Sequence, residues 1–414
     1  MNINKTGYTV LVSAITAIIS SQAIATNGMN LEGYGPVAGA MGGASMATDN
    51  GTAAVMNNPA TLGLQQDNAR MDLALGKLGP DVTSKFTGMP DAKSSGDAYY
   101  MPAIGYTRKY GQFVYGVGVF AQGGMGTEYD SDSFVAAGSG DAARSEVSVG
   151  RFVIPLAYNV NEQLTVAGSL DYVWAGMDIK MAMSGGQFGD MVAAMGGSQT
   201  NGTASGGMVT GLGAMVAGGD LQPPGTGSGP VNWARFDFSN NSDFTGEASG
   251  TGFAAKLGAV FQVSRQLKVG ATYHAKTALG DLETDSATVT MNANMNDGVG
   301  GFTNVQTIPV KGKISVKDFQ WPAMIGIGAA FQVNDKLMVA ADVKQLQWSS
   351  VMKDFSMTFD ADATQAGFAA GFAGSSMDVS LLQKWKDQTI INLGAAYMVN
   401  PRFRSYIAIS STSS

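Results

Sequence analysis

Residues 158–174 read Tyr158-Asn159-Val160-Asn161-Glu162-Gln163-Leu164-Thr165-Val166-Ala167-Gly168-Ser169-Leu170-Asp171-Tyr172-Val173-Trp174. From Leu164 onward one parity carries Leu164, Val166, Gly168, Leu170, Tyr172 and Trp174, and the other carries Thr165, Ala167, Ser169 and Asp171. A period of two marks a β-strand with one apolar face. Ahead of it lies a polar turn, Asn161-Glu162-Gln163, and a strand that ends in an aromatic residue. The unit recurs. Phe261-Gln262-Val263 and Leu267-Lys268-Val269 flank Ser264-Arg265-Gln266, and Phe331-Gln332-Val333 and Leu337-Met338-Val339 flank Asn334-Asp335-Lys336. A fourth copy opens at Tyr397-Met398-Val399-Asn400. Strands of a soluble sandwich run about 5–6 residues. These runs reach about ten, the length a tilted strand needs to cross a bilayer.

Working outward, about ten such strands are visible, near 71–78, 98–109, 112–121, 146–160, 164–180, 246–263, 267–284, 316–333, 337–351 and 388–399. Their connections alternate. Residues 79–97, 122–145, 181–245, 285–315 and 352–387 read as long loops, while 110–111, 161–163, 264–266 and 334–336 are turns. Short turns on one side and long loops on the other are the asymmetry of an outer-membrane barrel. The expected fold class is therefore all-β, a transmembrane antiparallel β-barrel.

Composition agrees. Of 414 residues 56 are Gly, and 14% are charged, about twice and half the usual shares. No Cys and a single His exclude disulfides, thiol chemistry and a paired-His zinc site, so no metal and no cofactor are expected. A net charge of −7 argues against a nucleic-acid partner. An activated Ser would need a base, and His274 is the one imidazole; no Gly-x-Ser-x-Gly elbow is present, so the chain reads as no enzyme. Residues 1–25 read as a signal peptide: Lys5, then apolar Val10 to Ile19, then Ala23-Ile24-Ala25 ahead of a cleavage at Thr26. That implies export and a bacterial outer-membrane location.

Residues 26–66 lack strand alternation and run from Gly28-Met29-Asn30-Leu31 to Asn58-Pro59-Ala60-Thr61-Leu62. Further along stand Gly116-Val117-Gly118-Val119-Phe120 with Gly126-Thr127-Glu128-Tyr129, then Trp348-Ser349, then Trp385-Lys386-Asp387 with Leu393-Gly394-Ala395-Ala396-Tyr397. In this order the segments resemble the FadL/TodX family of outer-membrane transporters for hydrophobic compounds. The resemblance implies a 14-stranded barrel at 67–414, closed by an N-terminal hatch at 26–66 that carries Asn58, Pro59 and Ala60. It also implies passive, hatch-gated diffusion of a hydrophobic compound: a long-chain fatty acid, an alkane or an aromatic hydrocarbon. Other expected partners are outer-membrane lipid, lipopolysaccharide and the barrel-assembly machinery. The family's strand kink would fall near Gly116 and Gly118. The fourth repeat departs from the pattern, with Ser405 where Val is expected after Arg404, and the chain ends Ser410-Ser411-Thr412-Ser413-Ser414. The expectation is a copy derailed near Arg404 with its C-terminal strands missing, transporting little by itself. The other readings are a structural or porin-like barrel.

Two groups of residues read as ligand contacts. Phe188, Met191, Met195, Met208 and Met215, in the 181–245 stretch, read as an exposed apolar capture groove, because unbranched thioether side chains suit promiscuous apolar binding. Strand parity places Arg151, Lys256, Lys268, His274, Lys276 and Lys344 on the lumen side, with Asp171, Asp318 and Asp342. Of these, Arg151, Lys256 and His274 are the candidates to meet a ligand head group.

Overall fold

The computed structural model describes residues 28–413 apart from 67, 228, 243–244 and 401–402. The expected signal peptide, 1–25, lies outside the described residues. Among those residues the strands are β1 (Ala69–Leu78), β2 (Thr83–Ser84), β3 (Ala92–Lys93), β4 (Tyr99–Tyr110), β5 (Phe113–Tyr129), β6 (Ala143–Asn159) and β7 (Leu164–Ser184). There follow β8 (Gly202–Ser205), β9 (Val231–Phe238), β10 (Ala248–Gln262), β11 (Leu267–His274), β12 (Ala278–Leu279), β13 (Leu282–Met295) and β14 (Asn304–Lys317). The last are β15 (Met324–Gln332), β16 (Leu337–Leu346), β17 (Asp354–Ala361), β18 (Ser376–Leu382), β19 (Gln388–Asn400) and β20 (Phe403–Ser413). Three short α-helices are α1 (Gly35–Ala40), α2 (Gly185–Met191) and α3 (Gly207–Ala217).

The repeat units form hairpins for a local reason. The first turn residue accepts hydrogen bonds from the two amides that follow: Asn161 Oδ1 from Gln163 and Leu164, both at 2.8 Å, and Asn334 Oδ1 from Lys336 and Leu337 at 2.9 and 3.0 Å. Ser264 Oγ does the same for Gln266 and Leu267. A short side chain that caps its own turn reverses the chain in three residues. The flanking strands are thereby held in register.

Antiparallel pairing then builds one wall in the order β1, β4, β5, β6, β7, β10, β11, β15, β16, β19, β20. That is eleven wall strands rather than about ten. Past Arg404 the chain continues as a strand: β20 pairs Met398 with Arg404 and Leu393 with Ile409. Ile407 and Ile409 continue the outward apolar face of β19. Among the described residues β1 pairs only with β4 and β20 only with β19. Because direction alternates across eleven strands, β1 and β20 run the same way along the wall.

The wall is inside-out relative to a soluble sheet. Leu257, Leu170, Phe253, Ile327, Tyr273 and Leu393 point outward and are exposed, while Arg151, Asp171, Lys256, Asp342 and Asn392 point inward and are buried. An apolar outer band with a polar interior is the arrangement that lipid demands. Exposed Tyr110, Phe113, Phe261, Phe331, Tyr397 and Phe403 gather at the short-turn ends, where a headgroup layer favours aromatic rings. Among the described residues no helix is long and apolar enough to cross a membrane.

The stretches read as long loops are corrected too. Residues 181–245, 285–315 and 352–387 hold strands and helices that form a lobe above the wall. The outer end of β7 pairs with β9, β9 with β13, β13 with β14, β14 with β17, β17 with β18 and β18 with β8. One face of this sheet packs its Met291, Val310, Met357, Phe359 and Phe236 side chains against Phe188 and Met191 of α2 and Met208 and Leu212 of α3. A capping box starts α2: Ser184 Oγ accepts from Gln187 N, and Gln187 Oε1 accepts from Ser184 N at 2.9 Å. Beyond it, Asp190 accepts from the Thr200 hydroxyl at 2.7 Å and from the amides of Thr200 and Ser198. Those bonds hold its carboxyl below the usual carboxylate range and fold back residues 190–200.

The orientation of the wall gives a direct test. Leu257, 63% exposed near the middle of β10, faces the bilayer core, and Val263 lies beside the turn. Leu257→Arg should destabilise the folded protein in vesicles by about 2–4 kcal/mol, and Val263→Arg by about 0–1 kcal/mol. Urea titrations read by heat-modifiable gel mobility check this; equal costs would contradict the assigned faces.

Candidate functional site

The wall encloses the segment from Gly28 to Gln66. Asn58 accepts from the amide of Ala60 at 3.1 Å and Pro59 follows at the first helical position, so Asn58-Pro59-Ala60 starts a 3₁₀ helix over Pro59–Leu64. The other face of Asn58 reaches outward, donating to Met46 O at 2.7 Å and to Ala259 O of β10 at 3.2 Å. Neighbouring strands add further ties. His274 Nε2 lies 2.7 Å from Asn57 O, and Asp342 accepts from the amides of Ser45 and Met46 at 2.6 and 3.1 Å. Lys344 donates to Gly43 O and Asn392 to Gly42 O, both at 2.6 Å. Outside its three short helices, Gly35–Ala40, Gly51–Met56 and Pro59–Leu64, the segment's backbone groups need partners from the wall. Inward glycines supply the room: a Cβ on Gly258 would collide with Asn58 Oδ1, and one on Gly270 with Met46 O.

The inward charges form a closed set. Asp171 accepts from Arg151 at 2.7 Å, from Lys256, and from Ser169 at 2.7 Å, while Arg151 Nε donates to Gln122. Arg151, Lys256 and His274 thus meet on β6, β10 and β11 as the sequence parity expects, but each is engaged with protein groups. Buried charges left without such partners would be severely penalised. Parity fails for Lys276 and Asp318. The strand ends before Lys276, Asp318 lies in a left-handed turn after β14, and both are exposed.

Gly116 and Gly118 keep register with β4, opposite Thr107 and Gly105. On the other side the pairing of β5 with β6 skips Gly116 and Val117, across from Pro155 and Ile154, and β5 bulges between Ala121 and Gly123. An extra residue turns Gln122 inward. The tip of the inner segment docks there: Asn30 bridges to Gly123, Gly124 N donates to Met29 O at 3.1 Å, and Tyr34 OH donates to Gln122 O at 2.7 Å. Over the tip stand three tryptophans from the outer ends of β15, β16 and β19. Trp321 lies 5.5 Å from Trp348, and Trp348 lies 5.0 Å from Trp385, both pairs edge to face. Trp321 Nε1 donates to Asn30 Oδ1 at 3.2 Å.

Met29, Trp321 and Trp348 belong to the same apolar core as the lobe. That core therefore continues from the lobe to the tip. Phe188, Met191, Met195 and Met208, expected on an exposed groove, are buried inside it, and Met215 packs against it half-buried. The thioethers fill the gaps between sheet and helices. By contrast, a cleft of about 250 Å³ at the outer ends of β4, β5 and β6 is lined by Asp97, Tyr99, Glu128, Arg144 and Glu146, and is polar. Among the described residues no three His, Cys, Asp or Glu are placed to hold a metal ion. The sequence reading did not find Gln122, Met29 or Trp321. Its missed signal was Gln122-Gly123-Gly124, where the alternation of β5 slips by one.

Comparison with known proteins follows from this geometry. Residues 12–405 match the family described as outer membrane protein transport protein (OMPP1/FadL/TodX). The toluene transporter TodX of Pseudomonas putida has a similar structure, 30% identical with a TM-score of 0.76 over 93% of this chain and 84% of that one. The toluene transporter TbuX of Ralstonia pickettii is 31% identical, with a TM-score of 0.70 over 93% and 87%. An uncharacterised Chlorobium limicola protein, encoded in the 5′ region of a phosphoenolpyruvate carboxykinase gene, is 44% identical over 81 residues. That match spans 19% of this chain and 40% of that relative. An inside-out β wall around an N-terminal segment, matched over nearly its whole length, places this chain in the outer membrane as a member of the OMPP1/FadL/TodX family of transport proteins.

Proposed function

We propose that the protein carries small neutral hydrocarbons, of the monoaromatic size, inward across the outer membrane by passive diffusion, with residues 28–66 as the hatch. The observation that carries this reading is the unbroken apolar core from the lobe through Trp348 and Trp321 to Met29. A hydrocarbon needs no more than an apolar path and a way past the hatch. A fatty acid would need in addition a cation for its carboxylate. Arg151 and Lys256 share Asp171, and Lys344 is held by Asp342 and the Gly43 carbonyl. The commitment of these cations supports a neutral cargo over an ionised one. The toluene transporters among its structural relatives support the same class.

Expression in a host without its own hydrocarbon channel tests this. Uptake of radiolabelled toluene should become faster and saturable, without nucleotide, while oleate uptake stays at background. Enhanced oleate uptake with unchanged toluene uptake would overturn the neutral-cargo reading.

The hatch role has a separate test. Gly270→Val sets a branched side chain against Met46 O, so it should loosen the hatch rather than the wall. In planar bilayers the variant should conduct small ions more than the parent while keeping heat-modifiable mobility. Unchanged conductance would count against residues 28–66 as the closure.

A further inference from the structure

Resting on the neutral-cargo reading, we infer that Trp348 is a specificity-determining residue. Its buried indole N–H favours an aromatic ring over a saturated hydrocarbon of the same size, at the place now filled by Gly28. Trp348 is fully buried, and its Nε1 has no hydrogen-bond partner. Its neighbour Trp321 differs, because its own N–H is taken by Asn30. The donor edge of Trp348 faces the hatch tip: a Cβ on Gly28 would lie 3.2 Å from Nε1 and from Cε2, and 2.9 Å from Cζ3 of Trp385. Gly28, at φ +62°, is thus a residue without a side chain set against an unused donor and the edge of a second indole.

The geometry around the donor is held in place beforehand. Ser349 N donates to Asp387 Oδ1 at 2.9 Å, which ties the Trp348 turn to the segment carrying Trp385. Trp321 N donates to Thr277 Oγ1 at 2.7 Å, which fixes the third ring. A buried donor without an acceptor is unfavourable, and an alkane in contact with it leaves it so. The face of an aromatic ring carries negative charge density and accepts an N–H. A monoaromatic molecule that takes the place of Gly28 would satisfy the donor and continue the edge-to-face packing of the three indoles. A cycloalkane would fill the same volume and do neither.

The test compares toluene and methylcyclohexane as competitors of labelled toluene uptake in cells carrying the full chain. Two variants remove the donor. Trp348→Phe is the simpler, and incorporation of benzothienylalanine at 348 replaces N–H by sulfur at nearly constant shape. The parent should prefer toluene, and both variants should lose about fivefold of that preference, the worth of one weak hydrogen bond, through weaker toluene competition alone. An unchanged preference in the sulfur variant overturns the inference, as does an equal loss for both competitors, which marks a shape role. A parent that takes up no toluene overturns the neutral-cargo reading as well, so the two failures are distinguishable.

Discussion

A polypeptide in hydrocarbon has no water to accept its N–H groups or donate to its carbonyls, so every backbone group at membrane depth must be paired within the protein. That single constraint organises this chain. It makes the strands long, it turns their apolar side chains outward, and it leaves the polar parity to face whatever is enclosed. The enclosed object has to be polar on its own surface. Residues 28–66 meet that demand through backbone groups bonded to Asp342, Lys344, Asn392 and His274, and through the Asn58 side chain, which donates to Ala259 O. Wall and inner segment are thus each other's solvent.

The same logic explains the glycines. Where the inner segment runs against strand backbone, even a methyl group would not fit, as at Gly258 beside Asn58 Oδ1 and Gly270 beside Met46 O. It also explains why the lumen charges are so closely paired. Asp171 stands between Arg151 and Lys256, because a buried cation without a counter-ion is severely penalised. These charges are paired with one another inside the wall. The apolar core starts in the lobe, takes in Trp321 and Trp348, and ends where the tip of the inner segment meets the bulge of β5.

Much of this was legible in the residues. The period of two, the polar turns at Asn161, Ser264 and Asn334, and the aromatic strand ends specify hairpins by local chemistry, and local chemistry is what a sequence displays. Strand parity placed Arg151, Lys256, His274 and Lys344 inside for the same reason, and it failed at Lys276 and Asp318, where the strand stops. The Met-rich stretch was misread as a loop because its strands are short, interrupted and paired with segments up to about two hundred residues away. Met191 and Met208 look exposed until β13, β14 and β17 are laid over them.

The sequence by itself determined the wall: a side chain's face follows from its parity, and parity needs no knowledge of the partner strand. Only the tertiary structure decided the site. Gln122 becomes the bulge because Tyr34 and Arg151 hold it inward. Trp321, Trp348 and Trp385 become one cluster because β15, β16 and β19 happen to end at the same lip. Gly28 acquires meaning only from the donor it faces. These relations join residues up to about 350 positions apart, and no local pattern encodes a meeting that pairing of distant strands brings about.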